Sequence, residues 1–323
     1  MKQQRLKEIS DFQPEREQFL AEVLRGLALI PKELPTKYLY DEHGSELYER
    51  ICDLEEYYIP NLEIKIMKDN IREIVGLLSS DANLIEYGCG SCTKTRVLLD
   101  NIPELAAYIP IDISREQLIN VTEDLNGIYP ELQILPVCAD FTGSFNLPPP
   151  ERAGSRNVVY FPGSSIGNFG PDPGRRLLTN IARICRPGGA LLVGVDLKKD
   201  QGVLYHAYND REGVTAAFNL NLLNRINREL DADFNLDAFY HEAIFNHEKA
   251  RVEMRLISRK DQRVHLGETS ISLQEGEFIW TESSYKYSLD EFESMVNDAG
   301  FDVVRVWTDN REWFSVQYLV ARG

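Results

Sequence analysis

Between Ala82 and Leu197 the chain alternates short apolar runs with amphipathic ones, and this alternation constrains its fold more than any other feature. "ANLIEYG" reads as a strand and "TKTRVLLDNI" as the helix after it. "AAYIPIDIS" and "REQLINVTEDLNGIY" repeat the pair, and "LQILPVCADF" is a third strand. "RNVVYFPGSSIGNF" is a fourth strand that runs into a Gly/Ser loop. "GRRLLTNIARIC" is a helix stopped by Pro187-Gly188-Gly189, and "ALLVGVDL" is a fifth strand. Ahead of them, Ile64, Ile66, Met67, Ile71, Ile74, Val75 and Leu78 recur at helical spacing and predict one helix over 62–78. Strands alternating with helices imply a mostly parallel sheet covered by helices on both faces.

The pattern stops after Asp200. "GVTAAFNLNLLNRINREL" reads as a long helix, and "ARVEMRLISRK" and "HLGETSISLQEGEFIWTESSYKY" as antiparallel strands, so residues 201–286 form a different unit. The last segment returns to the first theme. "SLDEFESMVNDAG" is a helix with Ser288 as N-cap, Glu291 three residues on, and Gly300 as its stop. "FDVVRVWTD" and "WFSVQYLVAR" follow as a hairpin. This outline resembles the class I methyltransferases. The expected fold is therefore α/β, a Rossmann-like sheet with a terminal antiparallel hairpin that puts one antiparallel strand at the edge, plus a second α+β domain. Residues 62–200 with 287–323 are expected to bind the cofactor, and residues 1–61 with 201–286 the substrate.

The first strand–helix turn, "LIEYGCGSCTKTRVLLD", is a candidate nucleotide site. Dinucleotide sites place three glycines as G-x-G-x-x-G after a strand. Here Gly88 and Gly90 are present but Thr93 holds the third position, followed by Lys94. The next strand ends in Asp112, 112 − 88 = 24 residues after Gly88, close to the spacing of about 20 at which an acid takes the ribose hydroxyls. The third strand ends in Asp140-Phe141: the acid can accept from an adenine amino group and the ring can lie against the base. NAD, FAD and S-adenosylmethionine all fit this much. The missing third glycine and the terminal hairpin favour S-adenosylmethionine, which has no pyrophosphate. The fourth strand carries "FPGSSIGNF", with Asn168 in the loop, rather than the Asn/Asp-Pro-Pro-aromatic run common in nucleic-acid amino-methyltransferases.

A formal net charge of −16 also disfavours a nucleic-acid substrate, because an acidic surface repels phosphates. The first twenty residues are charged and hold no apolar core for a signal peptide, and no stretch has the length of a membrane helix. With only five cysteines, the expectation is a reducing cytoplasm and no disulfide framework. Cys89 and Cys92 form C-x-x-C, but no matching second pair exists for a structural zinc site, and the histidines show no ligand spacing. No metal is expected.

Seven stretches then identify a family resemblance. "LPTKYLYDEHGSELYERICDLEEYY", "IEYGCGSCTKTRVLLD", "YIPIDIS", "FPGSSIGNF", "AYNDREGVTAAFNLNLLNRINRELDADFNLDAF", "VEMRL" and "WTESSYKY" are similar to the histidine Nα-methyltransferases of ergothioneine biosynthesis, in order and across nearly the whole chain. The resemblance implies that Gly88, Gly90, Lys94, Asp112, Asp140 and Phe141 contact S-adenosylmethionine, which leaves as S-adenosylhomocysteine. It implies that Asn168 and Tyr208 hold the substrate carboxylate. Tyr57, Glu282 and Ser284 would contact an imidazole, with Met254 against it, and Tyr40 would lie near the amine, so that Tyr40 and Tyr57 serve the proton. An imidazole carries one N–H donor and one acceptor nitrogen, and Glu282 and Ser284 at i, i+2 on a strand share one face. The implied reaction is trimethylation of the α-amine of histidine, a small-molecule substrate, with no nucleic acid, membrane or obligate protein partner. The alternative is a relative acting on tryptophan or another amino acid, and residues 254, 282 and 284 discriminate between them.

Overall fold

The computed structural model describes residues 9–12, 15–102, 104–143 and 145–323. In chain order these form β1 (Ser10–Phe12), α1 (Arg16–Leu27), β2 (Lys32–Glu33), α2 (Glu42–Cys52), α3 (Ile59–Asp69), α4 (Ile71–Leu78), β3 (Asn83–Tyr87), α5 (Thr93–Leu99), β4 (Ala107–Asp112), α6 (Arg115–Ile128), β5 (Val137–Ala139), β6 (Asn157–Phe161), α7 (Pro171–Cys185), β7 (Ala190–Asp196), α8 (Gln201–Tyr208), α9 (Val214–Leu230), β8 (Phe239–Asn246), β9 (Arg251–Ser258), β10 (Gln262–Leu266), β11 (Thr269–Leu273), β12 (Phe278–Tyr285), α10 (Leu289–Asp298), β13 (Phe301–Thr308) and β14 (Phe314–Ala321). Two compact units result. The first comprises Met1–Gln13, Ile59–Lys198 and Tyr285–Gly323; the second comprises Pro14–Tyr58 and Lys199–Ser284.

The first unit is an eight-stranded sheet in the order β1-β5-β4-β3-β6-β7-β14-β13. β1 to β7 in this order pair in parallel, whereas β14 is antiparallel to both β7 and β13. β3, β6 and β7 are mostly apolar because helices cover both faces; every residue of β3 and β7 is buried, Glu86 and Asp196 included. The chain leaves β3 towards β4 on one side and later returns to β6 on the other. The carboxyl ends of β3 and β6 are thus the topological switch point, where open α/β sheets bind ligands. α7 opens with Pro171 and stops at Arg186, where φ turns to +61. α10 carries the expected capping box: Ser288 accepts from the Glu291 amide and the Glu291 side chain accepts from the Ser288 amide.

Three details differ from the sequence expectation. The 62–78 helix is two helices. At Asn70 the backbone leaves helical geometry (φ −117, ψ 13), and the Asn70 side-chain amide donates to the Ile66 carbonyl at 2.8 Å, so a side chain competes for the ladder. The single antiparallel strand, β14, is not at the edge: α10 carries the chain to the outer position of β13, and β14 folds back into the slot beside β7. And Ser10–Phe12, grouped by sequence with residues 1–61 in the second unit, pairs with Val137–Ala139 in the first.

The second unit contains the sheet β2-β12-β9-β8 and the hairpin β10-β11, with α9 packed on β8 and β9. α2 and α9 share a polar joint. Asp41, the N-cap of α2, accepts from the Gly44 amide at 2.8 Å, from Asn221 Nδ2 at 2.7 Å and from Arg228 Nη2 at 2.6 Å. At the other end of α9, Asp210 caps the Val214 and Thr215 amides at 2.9 and 2.8 Å. Both carboxyls have pKa values below the usual range; the hydrogen bonds outweigh the opposing effect of burial. Among the described residues no helix is long and apolar enough to cross a membrane.

Candidate active site

In the first unit, β3 ends at Tyr87 and the chain turns through Gly88 (φ +75) and Gly90 (φ +48) into α5. Both angles are left-handed, where glycine alone carries no Cβ strain. A Cβ on Gly90 would meet nothing within 4 Å, and one on Gly88 only the Phe141 ring edge at 4.0 Å. The backbone therefore faces open space that a ligand can approach. Asp112 ends β4 beside this turn. Its Oδ2 accepts from the Gly90 amide at 3.1 Å and its Oδ1 from the Ser114 amide at 3.0 Å. Desolvation of the recessed carboxyl raises its pKa above the usual value against the pull of these bonds. Each oxygen keeps acceptor capacity, which is what a ribose diol needs. Asp140 follows β5 and accepts from the Thr142 amide at 2.9 Å. Phe141 lies with its centroid 5.3 Å from that of Tyr87 and 5.7 Å from that of Phe161. Asn168, half-buried, closes the short 3-10 turn Ser165–Asn168 after β6 and belongs to this same unit.

Beneath the glycine turn lies a buried acid pair that sequence reading passed over. Glu86 sits inside β3, 1% exposed, and accepts from Thr95 Oγ1 at 2.5 Å and from the Tyr108 hydroxyl. Burial pushes its pKa up to about 8, so at neutral pH it is mostly the neutral acid. Glu63, on α3, is fully buried, and its Oε2 stands 3.2 Å from Lys94 Nζ. A charged residue inside an apolar strand, and another on the apolar stripe of a helix with Pro60 and Met67, were the available sequence signals. Of the C-x-x-C pair, Cys89 lies 3.8 Å from Asp112 and Cys92 3.2 Å from the Tyr108 hydroxyl; all five cysteines are thiols. Among the described residues no group of three or more His, Cys, Asp or Glu side chains is placed to hold a metal ion.

The second unit gathers the remaining candidate residues. Tyr40, Tyr48, Tyr57 and Tyr208 form a chain of edge-on rings with centroid distances of 5.6, 6.4 and 5.9 Å, and Phe218 of α9 lies 5.5 Å from Tyr40. The Tyr208 hydroxyl donates to Ser284 Oγ at 2.8 Å. Glu282 and Ser284 are both buried on β12, and the Glu282 charge is felt at both Tyr48 and Tyr57. Burial above all, with Tyr48, Tyr208, Cys52 and Glu282 adding to it, holds the Tyr57 hydroxyl well above its ordinary pKa. Met254 is buried on β9, and its carbonyl accepts from Thr281 Oγ1 at 3.1 Å. His241 fixes the Tyr208 backbone: its Nε2 lies 2.8 Å from the Tyr208 carbonyl and its Nδ1 2.9 Å from Asn219 Nδ2. The amide can only donate, so Nδ1 accepts and Nε2 carries the proton. Tyr48, Phe218 and His241 were not singled out from sequence, where each is one aromatic among many.

With this geometry in place, comparison with known proteins decides the family. Residues 19–321 match the family described as "histidine-specific methyltransferase, SAM-dependent". The chain belongs to that family. Over 293 residues this methyltransferase is 39% identical to the histidine N-alpha-methyltransferase of Mycolicibacterium smegmatis, a match covering 89% of this chain and 90% of that protein. It is 32% identical over 294 residues to ergothioneine biosynthesis protein 1 of Neurospora crassa, covering 88% of this chain and 32% of that longer protein. Among solved structures, a S-adenosylmethionine-dependent methyltransferase from Clostridium acetobutylicum aligns with TM-score 0.47 at 14% identity, over 80% of this chain and 92% of that one. The class I methyltransferase fold expected from sequence is the fold of this family member, and S-adenosylmethionine is its cofactor.

Proposed function

We propose that this enzyme trimethylates the α-amino group of L-histidine, and that its product enters ergothioneine biosynthesis. The observation that carries the reading is the 39% identity, over nine-tenths of both chains, to a protein named histidine N-alpha-methyltransferase. The ergothioneine biosynthesis protein of Neurospora crassa supports the destination of the product. The first unit is proposed to bind S-adenosylmethionine through Gly88, Gly90, Lys94, Asp112, Asp140 and Phe141, with Asp112 taking the ribose hydroxyls and Phe141 the adenine face. The second is proposed to read the amino acid, with Tyr208 on its carboxylate; Asn168 is proposed as a substrate ligand of the first unit. Glu282 accepts the imidazole N–H, Ser284 meets the other ring nitrogen, and Met254 lies against the ring. The substrate is a small molecule, and the proposed setting is the cytoplasm.

The bound cofactor supplies an electrophilic methyl on a sulfonium; the chain's residues do the rest. The attacking amine must be neutral, since an ammonium has no lone pair, so the site has to favour loss of its proton. Tyr57 stays protonated across the physiological range. It can therefore move the amine proton only by accepting it on oxygen while passing its own to Tyr48, which must pass its own on in turn, so that the relay ends on water. Nothing has to be protonated on the leaving side, because a thioether leaves neutral. The third transfer creates a fixed cation, and the faces of Tyr40, Tyr57 and Phe218 stabilise one without a counter-ion. The test is mass spectrometry of histidine incubated with enzyme and excess S-adenosylmethionine. The expected product carries three added methyl groups on the α-nitrogen. Ring methylation, or arrest after one transfer, overturns the reading.

A further inference from the structure

Glu63 has no part in the chemistry just described, yet it is fully buried in the first unit. Three elements converge on its carboxylate. Oε2 pairs with Lys94 Nζ of α5 at 3.2 Å and accepts from the Gly163 amide, at the start of the loop after β6, at 2.9 Å. Oε1 faces the Tyr160 hydroxyl of β6 at 3.4 Å. The fourth side is β7, where Gly194 leaves the room: a Cβ there would fall 2.3 Å from Oε1 and 2.9 Å from the Phe314 ring. The slot is therefore shaped around a carboxylate, and a smaller neighbour than glycine does not exist. Isolated, such a buried charge is expensive; paired with an ammonium and an amide it is sustainable.

We propose that Glu63 is a positioning residue that holds the Lys94 ammonium at the cofactor turn and ties that turn to the loop after β6. This rests on the cofactor role proposed for Lys94. A lysine side chain has four rotatable carbons and a large rotamer entropy, so an unanchored Lys94 would spend little time facing an anionic ligand group. An ammonium has three donors, and Glu63 occupies one. The rest stay available for the carboxylate of a methionine-like tail. The neighbouring Glu86 is mostly uncharged at neutral pH and leaves Lys94 to Glu63. Because the same Glu63 oxygen also holds Gly163, the loop that carries Asn168 is set from the same point.

The test is calorimetric binding of S-adenosylhomocysteine to the parent, Glu63→Gln, Lys94→Met and the double variant. Glutamine keeps the shape and an acceptor for Gly163 but loses the charge that anchors Lys94. Glu63→Gln is expected to weaken binding about tenfold in the parent background and to have no further effect once Lys94 is methionine. The KM for the amino acid should move far less, since the Gly163 bond is retained. An unchanged Kd, or an equal loss in both backgrounds, overturns the proposal, because Glu63 would then act on the fold and not through Lys94. Should Glu63→Gln not fold, Glu63→Asp keeps the charge but shortens the reach, and the same cycle with Lys94→Met must show the same coupling. A parent that binds S-adenosylhomocysteine but does not methylate histidine overturns the substrate reading alone. One that binds no S-adenosylhomocysteine overturns both.

Discussion

Replacing Glu86 by glutamine should flatten the fall of the protein's stability with rising pH. The carboxyl is fully enclosed in β3, and burial raises its pKa from 4.5 to about 8 against the opposing pull of Thr95, Tyr108 and Lys94. Between these values the folded chain holds a proton that the unfolded chain has released. A group whose folded pKa is raised contributes stability that is complete below the unfolded value and is lost as pH climbs to the folded one. The slope inside that window is ~1.4 kcal/mol per pH unit, so from pH 5 to pH 8 the loss approaches about 4 kcal/mol. Glutamine is neutral throughout, nearly the same shape, and offers a carbonyl acceptor to Thr95 and Tyr108. Urea denaturation of parent and Glu86→Gln at pH 5, 6, 7 and 8 isolates this group, since acids held below their ordinary pKa, such as Asp41 and Asp210, contribute equally to both proteins. The variant should gain on the parent steadily from pH 5 to pH 8. Two parallel profiles would refute the reasoning, for they would mean Glu86 is ionised in the folded protein at every pH tested.

Two further outcomes are expected. Asp112→Ala removes the proposed acceptor for the ribose, so S-adenosylhomocysteine binding should weaken by roughly 1.5–3 kcal/mol, on the order of tenfold to a hundredfold by calorimetry; unchanged affinity would remove Asp112 from the cofactor site. Glu282→Ala should lower kcat/KM for histidine by a factor equivalent to ~2–3 kcal/mol while tryptophan and phenylalanine improve relative to it, and an unaltered rank order of the three would show that Glu282 does not read the ring.

The sheet was legible because burial on both faces leaves its strands mostly apolar, and five such runs between helices admit few arrangements. The capping box at Ser288 was legible because a helix start is a local event. The elements that escaped are those fixed by one particular partner and not by periodicity. β1 is three residues of mixed character that become a strand only beside β5. The break at Asn70 depends on one side chain choosing the Ile66 carbonyl. β14 entered the sheet's interior because α10 carries β13 past it, which no periodicity records. At the site, Gly88, Gly90 and Asp112 stood out because a turn and a strand end have recognisable chemistry. Glu63 and Glu86 did not, although each is a charge on an otherwise apolar face. Such a charge acquires meaning only when Lys94, Gly163, Thr95 and Tyr108 are seen around it.

The insertion of β14 between β7 and β13 has a consequence for how the chain is made. β7 is buried along its whole length, and its outer edge is covered by residues 314–320, which pair with 190–196. During synthesis, β7 therefore leaves the ribosome more than a hundred residues before its partner. Through that interval its free amides and carbonyls are an open edge of the kind that recruits other chains. The intervening residues 199–284 belong to the other unit and can form their own sheet meanwhile. Closure of the first unit therefore has to wait for β14.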